Sequence, residues 1–263
     1  MASQLIHLDV VVPVYGRPDL FKQCMEAFHK HIGDIPYRLI IVDDKSPNDM
    51  EPEYKGLNAT IVRHKENQGF PQSVNDGVKE GYAPVILLLN TDCFVQEGTI
   101  QAMMEEFREP STGIVGAKLV FPELPEVGAA GGSIQHCGMA VGINANPIHV
   151  KLGWRPDHPR CNVRRDDLQM VTGALMAVRR KIWDKLGGFA TDYGQGTFED
   201  VELCVRCRNE LGYKIVYTPR AVATHFAGAS AKAAGIGFPL QRNQQTFLAR
   251  VGKYLRWDEY MFW

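Results

Sequence analysis

The sequence predicts an α/β fold built on a mostly parallel central sheet, and three features carry that expectation. Short apolar runs rich in Val, Ile and Leu recur at Leu8 to Val14, Arg38 to Val42 and Val85 to Asp92, as expected of strands covered on both faces. Between them lie stretches whose apolar residues repeat at three- and four-residue steps, the pattern of a helix with one face packed on a sheet. The strand runs end abruptly in polar turn residues. At the end of the Val85 run a carboxylate, Asp92, stands at the strand's carboxyl end, where open α/β sheets hold ligands.

In chain order, Leu8 to Val14 reads as a buried first strand that runs into the loop Pro13-Val14-Tyr15-Gly16-Arg17. Pro18 suits the first turn of a helix, and Leu20, Phe21, Cys24, Met25 and Phe28 mark its packed face. Arg38 to Val42 is a second strand, stopped by Asp43-Asp44-Lys45-Ser46-Pro47. Ala59 to Arg63 is a short third strand; Asn67-Gln68-Gly69-Phe70 follows, and Pro71 opens a helix with Val74 and Val78 on one side. The fourth strand is Val85 to Asp92, and Gly98 to Phe107 is helical. From Gly113 the character changes. Ile114 to Phe121 is strand-like, Pro122 to Gly132 a loop, and little periodicity shows through Ser133 to Ile143, His149 to Arg165 and Leu168 to Val178, which suggests a functional loop or lid. Arg179 to Leu186 is a short helix closed by Gly187-Gly188, and Glu199 to Leu211 a longer one stopped by Gly212. Lys214 to Thr218 and Ala221 to Phe226 read as two more strands, and a helix carrying Phe247, Leu248, Val251 and Leu255 follows Pro239. Without repeat or linker, the chain reads as one domain in two functional halves.

Composition narrows the function classes. A net charge of -1 gives no general attraction to nucleic acid or anionic membrane. A local basic bias exists, where Lys151, Arg155, Arg160, Arg164 and Arg165 outnumber Asp157. The amino terminus lacks the basic start of a signal peptide, and no apolar run is long enough to span a bilayer, so a cytoplasmic protein is expected. Scattered cysteines read as reduced thiols, and Cys204 and Cys207 as successive turns of a packed helix, since no second pair follows at zinc-site spacing.

In a parallel α/β sheet the strand ends Pro13-Val14-Tyr15, Asp43-Asp44, Asn67-Gln68-Gly69 and Asn90-Thr91-Asp92 meet at one edge. Neither common glycine-rich phosphate loop is present. A diphosphate bound there would call for a divalent cation, and hard oxygen ligands such as Asp92 suit Mg²⁺ or Mn²⁺.

These segments, with Asn75-Asp76-Gly77, occur in the order and spacing of family 2 glycosyltransferases. Thr172-Gly173-Ala174, Arg179-Arg180, Gly187-Gly188-Phe189, Glu199 to Cys204 and His225 continue the pattern, so the resemblance covers roughly residues 6 to 230. Ile134-Gln135-His136-Cys137-Gly138 resembles the bacterial branch that builds O-antigen and related glycans, rhamnosyltransferase-like members included.

The resemblance implies a GT-A fold, a single Rossmann-like domain with an added acceptor-side half. It implies residues 1–112 as the nucleotide-binding half, 113–230 as the acceptor and catalytic half, and 231–263 as a helical, aromatic tail. It implies an inverting transfer from a nucleotide-diphosphate sugar, with UDP or dTDP as carrier, to a glycan or lipid-linked glycan. Asp44 is expected at the nucleobase, with Pro13 and Tyr15 lining the base and ribose pocket and Arg17 and Asn67 as further contacts. Gly69, Asn90, Thr91 and Gly173 complete the expected donor-binding set. Asp92 is expected to hold Mn²⁺ or Mg²⁺ at the diphosphate, with His225 as a second ligand; Asn90 stands where the family's acidic motif often has its first aspartate. Asp200 is the expected general base, although at a helix start it could equally serve as a capping carboxylate.

Small residues at Thr172-Gly173-Ala174 leave room for a sugar ring or for close packing. Trp154, Arg155, His158 and Arg160 are acceptor contacts or solvated surface. Tyr254, Trp257, Tyr260, Met261, Phe262 and Trp263 would dock on the core first, and otherwise on a twin subunit or a membrane. Two other activities fit the same outline. A sugar-phosphate nucleotidyltransferase would release pyrophosphate, and a transferase acting on a modified nucleic-acid base would lose activity as salt rises.

Overall fold

Strand β1 (Leu8–Val14) lies at the middle of the fold because its side chains are buried toward both faces. In the computed structural model, which describes residues 7–122, 132–228, 235 and 237–257, it pairs in parallel with β2 (Tyr37–Asp43) on one side and β4 (Val85–Leu89) on the other. Strand β3 (Ala59–Arg63) extends this parallel half beyond β2. Successive residues point to opposite faces, which is why the sequence shows an unbroken apolar run. Val10, Val12 and Leu87 join the core under helix α1 (Pro18–His31), while Val11, Ile86 and Leu88 join the core under α3 (Phe70–Lys79). A short helix, α2 (Glu51–Tyr54), was not foreseen from the sequence.

Gly77 explains how α3 approaches so closely. A Cβ there would come within 2.6 Å of Val11 Cγ1 and 2.8 Å of Val42 Cγ2. The family-like Asn75-Asp76-Gly77 is therefore partly a packing device. Asn75 adds a second function, exchanging two hydrogen bonds with the main chain of Phe189, at 2.8 and 2.9 Å, across 114 residues of sequence.

The second half continues the same sheet. Beyond β4 come β11 (Leu175–Arg179), β6 (Thr112–Val120), β12 (Lys214–His225) and β10 (Arg165–Leu168), giving the order β10-β12-β6-β11-β4-β1-β2-β3. Strand β11 runs antiparallel to both neighbours, so its starting end, preceded by Thr172-Gly173-Ala174, arrives at the edge where the parallel strands finish. Short β5 (Cys93–Val95) and β7 (Ile134–His136) pair with β12 and β6, and β8 (Met139–Val141) with β9 (Pro147–His149) forms a separate hairpin. Helix α4 (Thr99–Glu106) packs on the α1 side. Helices α5 (Arg180–Leu186) and α6 (Glu199–Leu211) pack on the α3 side.

Three expectations need correction. The fourth strand stops at Leu89, because Asn90 to Asp92 turn and Cys93 N–H donates to Asn90 O at 3.0 Å. The two strands expected between Lys214 and Phe226 are one, with a bulge between Thr218 and Val222 standing where the sequence suggests a break. The poorly periodic region contains strands β7 to β10, too short for their periodicity to show.

Helix α7 (Leu240–Val251) packs on α6 through buried Phe247 and Val251. Beyond it, the side-chain amide of Gln169 donates to Arg256 O at 2.6 Å and accepts from Arg256 N–H at 2.9 Å, so the chain is docked on the core as far as that residue. Tyr254 is partly buried against the core and Trp257 is exposed; Tyr260, Met261, Phe262 and Trp263 lie outside the described residues, as does most of the loop from Pro122 to Gly132. Among the described residues no helix is long and apolar enough to cross a membrane.

Candidate functional site

A cleft of about 300 Å³ opens at the carboxyl ends of the parallel strands. Its first wall carries Pro13, Tyr15, Asp44 and Asn67, followed by the turn Asn90-Thr91-Asp92. Its second carries Thr172, Gly173, Glu199, Asp200 and His225. The fold thus brings together residues far apart in sequence and nearly the whole set expected from the sequence.

Asp44 is held from three directions and is only 4% exposed. Gln68 N–H and His64 Nδ1 lie 2.7 Å from Oδ1, and Gly69 N–H donates to Oδ2 at 2.9 Å. A carboxylate has about four lone-pair positions, so one acceptor position remains for a ligand. His64 was not singled out in the sequence; its ring also approaches Asp76, at 3.3 Å from Nε2. Gly69 does not line the cleft. Its φ is +85°, and a Cβ would lie 2.2 Å from Gly194 O, so glycine is needed to bring this N–H to Asp44 while the Gly194 loop passes behind it. Arg17 also stays outside the lining: it begins α1 with φ +53° and pairs with Asp19 at 2.6 Å.

Asp92 and His225 meet because β5 and β12 are antiparallel and Cys93 stands in register with His225. Phe226 N–H donates to Asp92 O at 2.9 Å, and His225 Nε2 lies 3.3 Å from Asp92 Oδ1. That ring nitrogen is buried with no hydrogen-bond partner among the described residues. A carboxylate oxygen beside an unsatisfied imidazole nitrogen is a donor set suited to Mn²⁺ or Mg²⁺. Among the described residues no group of three or more His, Cys, Asp or Glu side chains is arranged to hold a metal ion, so phosphate oxygens and water would complete such a shell. Asn90 presents to the same cleft a buried Oδ1 with no partner among the described residues.

Asp200 stands in the first turn of α6. Gly173 N–H donates to its Oδ2 at 2.6 Å and Val201 N–H to its Oδ1 at 2.8 Å. Gly173 makes room for this carboxylate: an added Cβ would lie 3.0 Å from Asp200 Cβ. The small residues at Thr172 to Ala174 thus accommodate the acid beside them. Burial raises the Asp200 carboxyl, and the backbone hydrogen bonds pull against that rise without cancelling it. Burial and the neighbouring Asp200 and Glu202 charges push Glu199 well above the ordinary carboxylate range. Two coupled acids at one cleft wall therefore bind protons more readily than free carboxylates.

Backbone strain delivers this pair. Thr197 and Phe198, immediately before α6, have φ of +79° and +76°. Asn243 of α7 holds the strained segment: its buried amide donates to Gly196 O at 2.8 Å and lies 3.0 Å from Tyr193 O and Thr197 Oγ1. The sequence offers no signal for Asn243, an ordinary polar residue in a helical stretch.

A family model described as "Glycosyl transferase family 2" matches residues 9–187, more than half of the chain. Among curated relatives, the "O-antigen biosynthesis protein RfbC" of Myxococcus xanthus is 27% identical over 241 residues, covering 87% of this chain and 18% of that protein. The "Pre-mycofactocin glycosyltransferase" of Mycobacterium tuberculosis is 23% identical over 191 residues, covering 72% and 37%. The chain spans a quarter or less of the length of the first two curated relatives it matches, RfbC and a protein of Sinorhizobium fredii. Among solved structures, GalNAc-T7 with UDP, GalNAc and Mn²⁺ superposes with a TM-score of 0.73 at 16% identity, over 98% of this chain and 49% of that one. Mannosyltransferase PcManGT of Pyrobaculum calidifontis, in complex with GDP-Man and Mn²⁺, gives 0.62 at 16% identity, over 96% and 73%. These structural likenesses establish the GT-A fold.

Proposed function

Because the chain belongs to glycosyl transferase family 2, we propose that it is an inverting glycosyltransferase using a nucleotide-diphosphate sugar, with UDP or dTDP as carrier. The acceptor is a hydroxyl of a glycan or lipid-linked glycan, a reading supported by the likeness to an O-antigen biosynthesis protein. The observation that carries the reading is the meeting in one cleft of Asp44, Asp92 and Asp200. In this reading the three carboxylates serve the donor's base, its diphosphate and the incoming hydroxyl in turn.

In this reading Asp44 uses its remaining acceptor position for a nucleobase N–H, with Pro13 and Tyr15 flanking base and ribose. Asn67 and Asn90, each with a buried oxygen that has no partner among the described residues, face the donor, with Thr91 beside them. Asp92 and His225 are the protein's ligands for the divalent cation at the diphosphate. When bound, Mn²⁺ or Mg²⁺ supplies neutralisation of the charge that gathers on the departing diphosphate. Asp200 accepts the proton of the acceptor hydroxyl as its oxygen bonds to the anomeric carbon, opposite the breaking carbon–phosphate-oxygen bond. The carboxylate is aimed by Gly173 and Val201 and has lone pairs left to receive that proton.

Residues 1–112 then serve the nucleotide and 113–230 the acceptor and catalysis, and in the tail 231–263 helix α7 buttresses the second half through Asn243. The reaction takes place in the cytoplasm, and the basic stretch Lys151 to Arg165 and exposed Trp257 offer contacts to a membrane face. A thermal-shift screen of nucleotide sugars with Mn²⁺, Mg²⁺ or EDTA tests the reading. A donor at 100 times its dissociation constant would stabilise the protein by about 2.7 kcal/mol, and NMR of the product would show inversion. If no nucleotide sugar shifts the transition, the donor site is wrong.

A further inference from the structure

Gln135 contacts His225 twice. Its Nε2 lies 3.0 Å from the main-chain oxygen of His225, and its Oε1 is hydrogen-bonded to Nδ1 of the same residue. A carbonyl oxygen only accepts, so the amide nitrogen must be the group facing it, and the amide oxygen the group facing the ring. The amide oxygen only accepts as well. Nδ1 therefore carries a proton, and in a neutral imidazole the lone pair resides on Nε2. Among the described residues Nε2 is a buried nitrogen without a hydrogen-bond partner, 3.3 Å from Asp92 Oδ1. A lone pair and a carboxylate oxygen that close repel each other unless a proton or a metal cation lies between them.

We propose that Gln135 is a positioning residue that fixes His225 as its Nδ1–H tautomer and so presents Nε2, beside Asp92, to the divalent cation at the donor diphosphate. This rests on the reading of Asp92 and His225 given above. The arrangement is built into the sheet: Gln135 lies on β7, which pairs with β6, and β6 pairs in turn with β12, the strand that ends in His225. Gln135 is 5% exposed, so water is poorly placed to replace its amide. Holding both ring and main chain of one residue also limits how far the imidazole can turn.

Two measurements test this. Long-range ¹H–¹⁵N correlation spectra of the protein with Mg²⁺ and UDP, GDP or dTDP in turn at neutral pH read the tautomer directly, with His225 assigned by the loss of its signals in His225→Asn. The expected result is a protonated Nδ1 and an unprotonated Nε2, with the Nε2–H form gaining population in Gln135→Met. An Nε2–H tautomer in the wild type, or two protonated nitrogens paired with Asp92, overturns the proposal. In the second measurement, Mn²⁺ binding is followed by electron paramagnetic resonance with UDP, GDP and dTDP in turn. Gln135→Met should weaken it about 10–100-fold, and Gln135→Glu, which keeps an acceptor at Nδ1 but loses the donor to the His225 carbonyl, should weaken it less than Gln135→Met does. Nucleotide affinity in EDTA should be the same in all three proteins, a separation that general loss of structure would not produce. Wild-type Mn²⁺ affinity in Gln135→Met overturns the role of Gln135 and leaves the metal site standing. Absence of Mn²⁺ binding in the wild type overturns both. If Gln135→Met does not fold, the wild-type tautomer still decides.

Discussion

Asn243→Ala should damage turnover more than donor binding, although residue 243 lies outside the lining of the cleft. Two amide hydrogens of Asn243 serve a cluster of buried acceptors, with Gly196 O at 2.8 Å and Tyr193 O and Thr197 Oγ1 at 3.0 Å. Truncation leaves two acceptors unsatisfied, at about 1–3 kcal/mol each. Alanine recovers about 0.6 kcal/mol of helix propensity in α7. Relaxation of the positive φ angles at Thr197 and Phe198 recovers part of the strain stored there, of order 1 kcal/mol or more per residue. The net loss is about 2–3 kcal/mol, or roughly 4–12 °C in melting temperature for a chain of this size. The same relaxation moves the start of α6, and with it Asp200, while Asp44 and Asp92 on the opposite wall keep their supports. Urea denaturation gives the stability change, single-turnover transfer gives the rate, and calorimetry gives donor affinity. A fall in stability with no change in transfer rate, or equal losses of rate and donor affinity, would refute the separate support of the base.

Three further outcomes follow from the same geometry. Glu199 has a raised folded-state pKa, so its contribution to stability is fully present below the unfolded carboxyl pKa and is lost as pH rises through the folded value. Glu199→Gln should therefore melt higher than wild type by a margin that widens as pH rises above the ordinary carboxyl range; a margin independent of pH would contradict this. Gly69→Ala must place a side chain at φ +85° and 2.2 Å from Gly194 O, and should lose about 2–4 kcal/mol in urea denaturation together with nucleotide affinity through Asp44. An unchanged urea midpoint would show that this close approach is not needed. Asp92→Ala should weaken donor binding in Mn²⁺ and abolish its sensitivity to EDTA; donor binding by the wild type that ignores EDTA would count against Asp92 as a ligand.

The parallel half was legible because a strand buried on both faces leaves a continuous apolar run, and β1, β2 and β4 each do so. Polar strand ends then meet by topology alone, which is why Asp44 and Asp92 could be assigned to one edge. The second half was harder to read. β7, β8 and β9 are three residues long, below the length at which periodicity registers, and the bulge in β12 mimics a break between strands. Gly173 illustrates a different limit. A small residue in a strand-like segment signals a close approach, but only the fold identifies the neighbour as Asp200. Asn243 and His64 act on the site through other residues, and a supporting hydrogen bond between distant segments leaves no local pattern in sequence.

Asp200→Asn is the most direct test of the catalytic assignment. It keeps the side chain's shape and an oxygen for the Gly173 or Val201 N–H, but removes the charge and basicity needed to accept a proton. Single-turnover transfer with a donor identified by thermal shift should fall at least about 100-fold, the scale of a lost general base, while donor affinity stays within about threefold. Transfer within tenfold of wild type, in a variant that still binds the donor, would remove Asp200 as the base and with it the proposed mechanism.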